Sequence, residues 1–219
     1  MSGFGDKVTA AVPRGTLMKG ALDLLESVGY DVAEVRENDR KLFFEQQGII
    51  TMRPSDVATY VERGVADIGI VGKDVLMEQS DRDVYELVDL DFGGCSMIVA
   101  VPQENVATSD AAFRRRGTLR IATKYPRLTE RHFSSSGRQV ELIEVKGSVE
   151  LAAIAGLADA IVDLTATGTT LRENGLVVSE QIADCTARLI ANPGAYRLKS
   201  EAIDGVVKRL REITAARAG

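Results

Sequence analysis

The sequence has few of the side chains on which acid–base and metal chemistry usually depend: one histidine, two cysteines and no tryptophan among 219 residues. His132 has no second histidine with which to bind a metal, and Cys95 and Cys185 are far apart and lack metal-ligand spacing. A zinc centre and a serine–histidine or cysteine–histidine catalytic pair therefore lack their parts. We expect both cysteines to be reduced thiols in the core rather than a disulfide or a nucleophile.

The sequence also lacks an excess of positive charge and any long apolar run. Lys and Arg number 27 against 32 Asp and Glu, so no overall positive field favours nucleic acid, and an anionic ligand must be bound by locally placed cations. The dense basic patch Arg114–Arg116 is typical of a solvated helix end, and we assign it no function. Because no run of about 18 apolar residues occurs and the N-terminal segment has no long apolar core, we predict no membrane span, no secretory signal and a cytoplasmic location.

Apolar strands and helical patterns alternate along the chain, which predicts an α/β fold built from parallel βαβ units. We predict two lobes with mostly parallel sheets and a ligand cleft between them. The first lobe would comprise residues 1–98 and 186–219, and the second residues 99–185. The predicted strands are Val8–Val12, Leu42–Glu45, Ile49–Met52, Ala66–Val71, Ser96–Val101, Arg120–Thr123, Val140–Glu144, Ala160–Leu164 and Arg188–Asn192. The predicted helices include Pro54–Gly64 with Ser55 as its cap, Pro126–Ser134, Ser148–Gly156 and Ser200–Arg217, the last returning to the first lobe.

The segment Ala160–Leu171, AIVDLTATGTTL, is an apolar strand that runs into a threonine-rich turn and then a helix. Unpaired N–H groups at the start of a helix, threonine hydroxyls and close backbone approach at Gly168 favour a phosphate group at this turn. Asp163 can accept hydrogen bonds from sugar hydroxyls or reach a bridging magnesium ion. The turn therefore predicts a site for a phosphorylated ribose, although helix capping alone would explain the threonines equally well.

The same order of strand, glycine turn and helix recurs at Pro13–Thr16 and Val71–Asp74. In open parallel sheets, ligands bind outside the carboxyl ends of the strands, where all these turns would lie. Arg14 and Arg53 follow predicted strands, and a guanidinium group binds phosphate oxygens through paired hydrogen bonds. A lone arginine is more often a solvated side chain or half of a surface salt bridge. Together, the turns and arginines favour a ligand with two or more phosphates.

Five segments carry a resemblance to a known family: VPRGTL (Val12–Leu17), RKLFF (Arg40–Phe44), RPSDVATYVERGVADIGIVGKDVL (Arg53–Leu76), ATKYPRLTERHF (Ala122–Phe133) and GSVELAAIAGLADAIVDLTATGTTLRENGL (Gly147–Leu176). Across nearly the whole chain they resemble the short form of ATP phosphoribosyltransferase, the first enzyme of histidine biosynthesis. The last segment is close to the family signature. A TATGTT turn alone would be weaker, because the unrelated type I phosphoribosyltransferases carry a similar turn.

The resemblance implies a reaction in which N1 of the ATP adenine attacks the anomeric carbon of phosphoribosyl pyrophosphate (PRPP) and pyrophosphate leaves with inversion. Adenine N1 is already unprotonated at neutral pH, so the shortage of imidazole is no obstacle. The larger demand is to align two polyanions and neutralise the departing pyrophosphate. The implied cofactor is Mg²⁺, and the sequence identifies no ligands for it.

The resemblance also implies which residues form the site. Catalytic roles fall to Arg14, Arg53 and Asp163. The implied PRPP site comprises Asp163, Thr165, Ala166, Thr167, Gly168, Thr169 and Thr170. The implied ATP and pyrophosphate site comprises Arg14, Gly15, Lys41, Arg53, Lys73 and Tyr125, although packing explains Tyr125 at least as well.

The chain departs from the family pattern in its first turn and in its length. Many members have Lys, Gly and then Arg or Ser, whereas this chain has Arg14, Gly15 and Thr16, so the role of an arginine at the third place is absent. From its length, the resemblance to the short form implies a chain without the additional regulatory domain of long-form members. Within the family, this implies a homodimer inside a hetero-oligomer with a histidyl-tRNA-synthetase-like regulatory subunit.

Two other functions are compatible with parts of the same sequence pattern. A non-enzyme alternative is a small-anion receptor, because the implied two-lobed fold is similar to that of periplasmic binding proteins of type II. Such a receptor would need only one ligand, so binding of both ATP and PRPP would separate the two hypotheses. The third hypothesis, a type I phosphoribosyltransferase acting on a free base, is disfavoured by the order of the segments and by the reduction of its acidic pair to Asp163.

Overall fold

The computed structural model describes residues 7–38, 40–105 and 117–217, so the Arg114–Arg116 run lies outside the described residues. Contacts divide the chain into two compact units: unit 1 is Met1–Gly93 with Thr186–Gly219, and unit 2 is Gly94–Cys185. The chain therefore leaves unit 1 after Gly93, whereas the sequence-based boundary follows residue 98. The reason is that strand β6 (Cys95–Pro102) pairs along its whole length within the sheet of unit 2.

Unit 1 is built on a six-stranded sheet. Its strands are β1 (Ala10–Pro13), β2 (Phe43–Phe44), β3 (Ile49–Met52), β4 (Ile68–Gly72), β5 (Tyr85–Asp89) and β11 (Ala187–Ala191). Its helices are α1 (Met18–Ser27), α2 (Ala33–Glu37), α3 (Val57–Glu62), α4 (Lys73–Glu78), α8 (Pro193–Leu198) and α9 (Ser200–Arg217). The strand order is β2-β3-β1-β4-β11-β5, in which β3, β1 and β4 are parallel and the outer strands are antiparallel to their neighbours.

Helices cover both faces of the sheet in unit 1. Successive residues of a strand point to opposite faces, so both sets of side chains are buried. Ala10 and Val12 of β1 belong to a buried cluster that includes residues of α1, α2 and α9. Ala11 belongs to a second cluster with residues of α3 and α4. This burial on both faces explains why the central strands of unit 1 are almost continuously apolar in sequence.

Helix α9 returns to unit 1, as its apolar stripe predicts. Ile203 and Leu210 are fully buried and Val207 is nearly so, and all three join the cluster that contains α1. The predicted bounds of this helix are confirmed. Among the helices of the described ranges, α9 included, none is both long and apolar enough to cross a membrane.

Unit 2 contains a five-stranded sheet that is also covered by helices. Besides β6, its strands are β7 (Leu119–Thr123), β8 (Val140–Glu144), β9 (Ala160–Thr165) and β10 (Leu176–Cys185). Its helices are α5 (Pro126–Ser135), α6 (Glu150–Ile154) and α7 (Thr169–Glu173). The order is β10-β6-β9-β7-β8, in which β9, β7 and β8 are parallel and β6 and β10 are antiparallel. Ala122 and Ile161 pack with α6 residues and with Leu171 of α7.

Both sheets are mixed, which corrects the prediction of mostly parallel sheets. Parallel pairing is confined to the central strands and to β8, where strands and helices alternate in sequence. Strands β5 and β10 and helices α2 and α8 were not predicted. Strand β10 escaped prediction because Ser179–Gln181 interrupts its apolar pattern and two register shifts disturb its alternation.

The segment predicted as one helix from Pro54 to Gly64 has two parts. A 3₁₀ turn, Pro54–Asp56, precedes α3, and proline suits this first position because its φ is fixed and its missing N–H needs no partner there. The prediction that Ser55 caps the helix is wrong. Its hydroxyl instead donates to Asp56 Oδ1 at 3.1 Å, and no side chain caps either helix.

The two cysteines are neighbours in space although they are remote in sequence. Cys95 and Cys185 occupy the same register position of the antiparallel pair β6 and β10. Cys185 is buried, Cys95 is half-buried, and they form no disulfide. The return of β10 along β6 places its last residue opposite the first residue of β6, which sequence spacing does not reveal.

An ionic cluster links β10 to helix α5 and to the loop that follows this helix. Arg138 holds Glu180 through both guanidinium Nη atoms, with Nη2 at 2.8 Å from Oε2, and His132 Nε2 lies 3.0 Å from the same oxygen. The Arg138 guanidinium also lies 4.4 Å from the centre of the Phe133 ring. Hydrogen bonding by Arg138 is the largest cause that lowers the pKa of Glu180 to about 2.

Replacing Glu180 should change the stability of the protein in a pH-dependent way. A carboxyl group whose pKa is lower in the folded state stabilises the fold above its ordinary pKa of 4.5, and this contribution is lost as the pH falls towards about 2. We expect Glu180→Gln to reduce the free energy of unfolding at pH 7, measured by urea titration, and the difference from the original chain to vanish across that range. Screening at this half-exposed site will keep the effect modest. A difference that does not vary with pH would contradict this prediction.

Replacing Leu210 should destabilise unit 1, because its side chain is fully buried beneath α9. We expect Leu210→Ala to lower the free energy of unfolding by about 2–5 kcal/mol, through lost burial and a residual cavity. The matched control is Lys208→Ala on the exposed face of the same helix, which should change it by less than about 0.5 kcal/mol. Equal changes in the free energy of unfolding for the two substitutions would contradict a stabilising role for the buried face of α9.

Candidate functional site

Two arginines leave the sheet of unit 1 side by side. Strands β1 and β3 are parallel with Pro13 opposite Met52, and the next residues along the two strands are Arg14 and Arg53. The Arg14 N–H donates to the Met52 carbonyl at 2.8 Å, which fixes this alignment. Within the described ranges, no carboxylate pairs with either guanidinium group. Both charges therefore remain available to an anion at the carboxyl ends of these strands.

Gly15 gives the first turn its shape. Its φ is +91°, a conformation that other residues rarely adopt, and a Cβ built on it would meet no atom within 4 Å. The requirement for glycine is therefore conformational rather than steric. The Gly15 carbonyl accepts a hydrogen bond from the Met18 N–H at 3.0 Å, and this bond closes the turn that leads into α1.

The two lysines predicted for the nucleotide site are engaged with carboxylates. Lys41 pairs with Glu34 and lies 5.0 Å from the centre of the Phe44 ring. Lys73 follows β4, the parallel neighbour of β1, and its Nζ lies 2.7 Å from Glu86 Oε2. Both residues belong to the unit that carries the arginines, but their charges are already balanced.

Asp163 lies almost buried near the end of β9, with 12% of its side chain exposed. Its Oδ1 accepts a hydrogen bond from the Leu164 N–H at 2.9 Å, and its Oδ2 lies 3.3 Å from Lys124 Nζ. Burial raises the pKa of Asp163, and the two donors oppose that rise without cancelling it. A carboxylate held in this way is a directed hydrogen-bond acceptor rather than a solvated charge.

Lys124 is a site residue that the sequence reasoning did not single out. Strands β7 and β9 are parallel with Thr123 opposite Val162, so the residues that follow, Lys124 and Asp163, are neighbours. The available signal was a lysine directly after a predicted strand. This signal could not be used, because Lys124 and Asp163 become neighbours only through the order of strands in the sheet, which places β7 beside β9. The spacing of segments in the sequence does not reveal that order.

The threonine-rich turn is an exposed loop shaped by its own hydroxyls. Gly168 has a φ of +69°, and its N–H donates to Thr165 Oγ1 at 3.0 Å. Thr167 and Thr169 share a hydrogen bond of 3.0 Å between their Oγ1 atoms. No side-chain hydrogen bond caps the start of α7, and the threonine hydroxyls instead bond within the turn. Ala166, Thr167, Thr169 and Thr170 are exposed, as a loop that receives a ligand requires.

A second site residue that the sequence reasoning missed, Arg172, folds back over this turn. Its Nη1 donates to the Thr167 carbonyl at 3.0 Å, and its Nη2 donates to Thr169 Oγ1 at 3.1 Å. The spacing gave a weak signal, since Arg172 lies in the first turn after Thr169. The sequence does not reveal whether such a side chain points outwards or back over the turn, because that depends on the folded shape of the turn.

Tyr125 follows Lys124 at the entrance to α5. Its N–H donates to Thr123 Oγ1 at 2.9 Å, and its carbonyl accepts a hydrogen bond from Thr129 Oγ1 at 2.6 Å. The residue is half-buried and its backbone is fixed on both sides. The position of Tyr125 is compatible both with packing and with a flat ligand.

Among the described residues, no group of three or more His, Cys, Asp or Glu side chains lies together in a way that could hold a metal ion. Mg²⁺ commonly keeps several waters and is bound through one or two carboxylates together with substrate phosphates. The donor set here, a single carboxylate beside a hydroxyl-rich turn, fits a metal that arrives with a phosphorylated ligand.

Comparison with known proteins links these features to one family. The family model described as ATP phosphoribosyltransferase matches residues 53–212. An ATP phosphoribosyltransferase of Rubrobacter xylanophilus is 51% identical over 199 residues, covering 90% of this chain and 92% of that protein. The solved ATP phosphoribosyl transferase (HisG:HisZ) complex from Thermotoga maritima contains a chain with 34% identity and a TM-score of 0.78, and the match covers 96% of this chain and 100% of that one.

The fold alone is shared more widely. The periplasmic aliphatic sulphonate binding protein SsuA from Escherichia coli has a TM-score of 0.58 at 13% identity, and the match covers 95% of this chain and 72% of that one. This likeness confirms the predicted class, an α/β fold of the periplasmic-binding-protein type. At this identity it carries no information about the ligand.

Replacing Asp163 should not destabilise the protein at neutral pH. Because folding raises its pKa, the charged carboxylate costs stability above that pKa, and the cost disappears below the ordinary value of 3.8. We expect Asp163→Asn to have a melting temperature at pH 7 at least as high as that of the original chain, measured by calorimetry, with the difference shrinking in acid. A lower melting temperature at pH 7 would mean that the pair with Lys124 outweighs burial.

Proposed function

Because the chain belongs to the ATP phosphoribosyltransferase family, we propose that its two units divide the work of that reaction. The chain is a pentosyltransferase that transfers the 5-phosphoribosyl group of PRPP to N1 of ATP, giving phosphoribosyl-ATP and pyrophosphate. This is the first step of histidine biosynthesis. We assign each substrate to particular residues because the arginine pair lies in unit 1 and the hydroxyl-rich turn lies in unit 2.

The chemistry requires positioning and charge neutralisation more than proton transfer. The lone pair of adenine N1 forms a bond to the anomeric carbon, the bond from that carbon to the pyrophosphate oxygen breaks, and its electron pair leaves with pyrophosphate. No proton has to be removed from N1, so no imidazole base is needed, and His132 is engaged with Glu180. Rate enhancement then comes from alignment of the reactants and from groups that stabilise the developing negative charge.

Unit 2 binds PRPP in this proposal. Asp163 accepts hydrogen bonds from the ribose hydroxyls, for which its fixed and nearly buried carboxylate is suited. Burial raises the pKa of this carboxyl group, and the Leu164 N–H and the Lys124 ammonium group oppose that rise. The 5-phosphate is received by the turn formed by Thr165, Ala166, Thr167, Gly168, Thr169 and Thr170.

In this proposal, unit 1 binds the pyrophosphate group that leaves PRPP and the phosphates of ATP. Arg14 and Arg53 neutralise the departing pyrophosphate, which is supported by their adjacent positions and by the absence of a carboxylate partner for either among the described residues. Gly15 lets the backbone of the first turn approach the phosphate oxygens. Lys41 and Lys73 contribute to the nucleotide site only if they exchange their present carboxylate partners for phosphate.

Two further elements complete the proposed site. Tyr125 borders the adenine ring, which its half-buried position beside Lys124 permits. If Mg²⁺ were bound together with the substrate phosphates, it would supply positive charge to the pyrophosphate group. Asp163 is the carboxylate of the proposed site that such an ion could use.

We also propose the assembly in which the chain works. The solved relative from Thermotoga maritima is described as a HisG:HisZ complex. By this likeness, the chain forms a homodimer within a hetero-oligomer whose other subunit is regulatory and similar to histidyl-tRNA synthetase. A cytoplasmic location is consistent with the biosynthetic role of the family.

An activity assay tests the function and the partner together. We expect the chain with ATP, PRPP and Mg²⁺ to form phosphoribosyl-ATP, detected by ultraviolet absorbance, with more product when pyrophosphatase and the regulatory subunit are added. Omitting either ATP or PRPP is the control. Absence of product in the complete mixture would refute the assignment, and equal rates with and without the subunit would refute only the proposed partner.

Substitutions in the turn test the division between units. We expect Thr167→Val or Gly168→Val to weaken PRPP binding by about one to two decades, since each disturbs charge-assisted hydrogen bonds worth about 1.5–3 kcal/mol. ATP binding, measured by calorimetry, should change by less than about twofold if unit 1 carries its phosphates. Thr214→Val on α9 is the matched control. Equal weakening of both substrates in a folded variant would contradict the placement.

A further inference from the structure

The turn of unit 2 has no positive charge within its own segment. Residues 160–171 contain neither Lys nor Arg, and their single ionisable side chain is the carboxylate of Asp163. A phosphate monoester carries a charge of about −1.5 to −2 at pH 7. Hydroxyl and amide donors alone would leave most of that charge without a counter-charge. The charge of Lys124 is already balanced by Asp163, whose Oδ2 lies 3.3 Å from its Nζ.

Arg172 places a guanidinium group directly against this turn. Besides its two hydrogen bonds to the turn, its Nη1 would lie only 3.1 Å from a Cβ built on Gly168. The guanidinium therefore lies against the glycine at the centre of the turn, where the positive φ of +69° favours glycine. A Cβ at position 168 would require the guanidinium group to shift by only a few tenths of an ångström.

The conformation of Arg172 differs from that of an ordinary surface arginine. The residue is exposed and its neighbour in sequence is Glu173, yet in the described part of the chain no carboxylate forms an ion pair with it. Its recorded contacts are instead with Thr167 and Thr169, which are themselves exposed. Two of its nitrogen atoms already hold the turn, and the remaining N–H groups of the five are left to bind an incoming anion.

We propose that Arg172 is a substrate-binding residue that supplies the positive charge for the 5-phosphate group of PRPP. This inference rests on the proposed function, since it assumes that the turn receives that phosphate. The guanidinium both holds the turn in shape and offers planar donors to phosphate oxygens, a combination to which arginine is better suited than lysine. Arg172 thus adds charge recognition to a site that hydroxyls alone would make weak.

The test compares Arg172→Met, which removes the charge, with Arg172→Lys, which keeps it. Isothermal calorimetry would measure the binding of ribose 5-phosphate, PRPP and ATP to the full chain in buffer containing Mg²⁺. Ribose 5-phosphate isolates the 5-phosphate from the pyrophosphate group, and ATP reports on the rest of the site. Lys208→Met is the matched control, because it removes one exposed positive charge from α9 in unit 1.

We expect Arg172→Met to weaken ribose 5-phosphate and PRPP by about 10- to 100-fold and ATP by less than about twofold. Arg172→Lys should recover part of the loss, because it restores the charge but not the planar donors, and added salt should weaken ribose 5-phosphate less in the Met variant than in the original chain. Unchanged binding in Arg172→Met would overturn the inference. A Lys variant as weak as the Met variant, or a parallel loss of ATP binding and melting temperature, would overturn it in favour of a purely structural role.

Failure of the inference can be told apart from failure of the proposed function. If the original chain binds ribose 5-phosphate and forms product while Arg172→Met binds equally well, only the role of Arg172 is refuted. If the original chain binds neither ribose 5-phosphate nor PRPP, the proposed PRPP site in unit 2 is refuted, and the role of Arg172 with it.

Discussion

The register of the parallel strands is the constraint on which the site depends. Where two parallel strands end at the same level, the residues that follow them leave the sheet as neighbours at its carboxyl edge. In unit 1 this brings Arg14 and Arg53 together, and in unit 2 it brings Lys124 and Asp163 together. A slip of one residue in either pairing would send these side chains to the opposite face of the sheet. The buried apolar faces of both sheets prevent such a slip.

The charges of the molecule are arranged differently according to their use. Lys41 and Lys73 are balanced by carboxylates, which lowers their value to an anionic ligand. In the part of the chain that the structure describes, Arg14 and Arg53 have no such partners, and Asp163 is buried at a cost to stability that its neighbours only partly offset. Free cations and a buried carboxylate do little for folding, so their presence is better explained by ligand binding than by structure.

The same fold serves proteins that bind a solute without changing it, and the difference lies in the side chains at the strand ends. The likeness to SsuA extends over most of the chain, but nothing in that likeness specifies a ligand. What the family membership adds is a reaction whose nucleophile needs no activation by a base. A site made of cations, hydroxyls and one oriented carboxylate is sufficient for such a reaction, and this agrees with a sequence that contains a single histidine.

The sequence by itself determined the alternation of strands and helices, the apolar stripe of α9 and the glycine turn at Gly168, because these depend on local periodicity and on backbone conformations few residues can adopt. It did not determine strand β10, the shared register position of Cys95 and Cys185, or the contacts that Lys124 and Arg172 make. Those follow from which strands are adjacent and where a turn directs its side chains. Adjacency of distant segments is settled by the packing of the whole sheet, so only the tertiary structure could decide it.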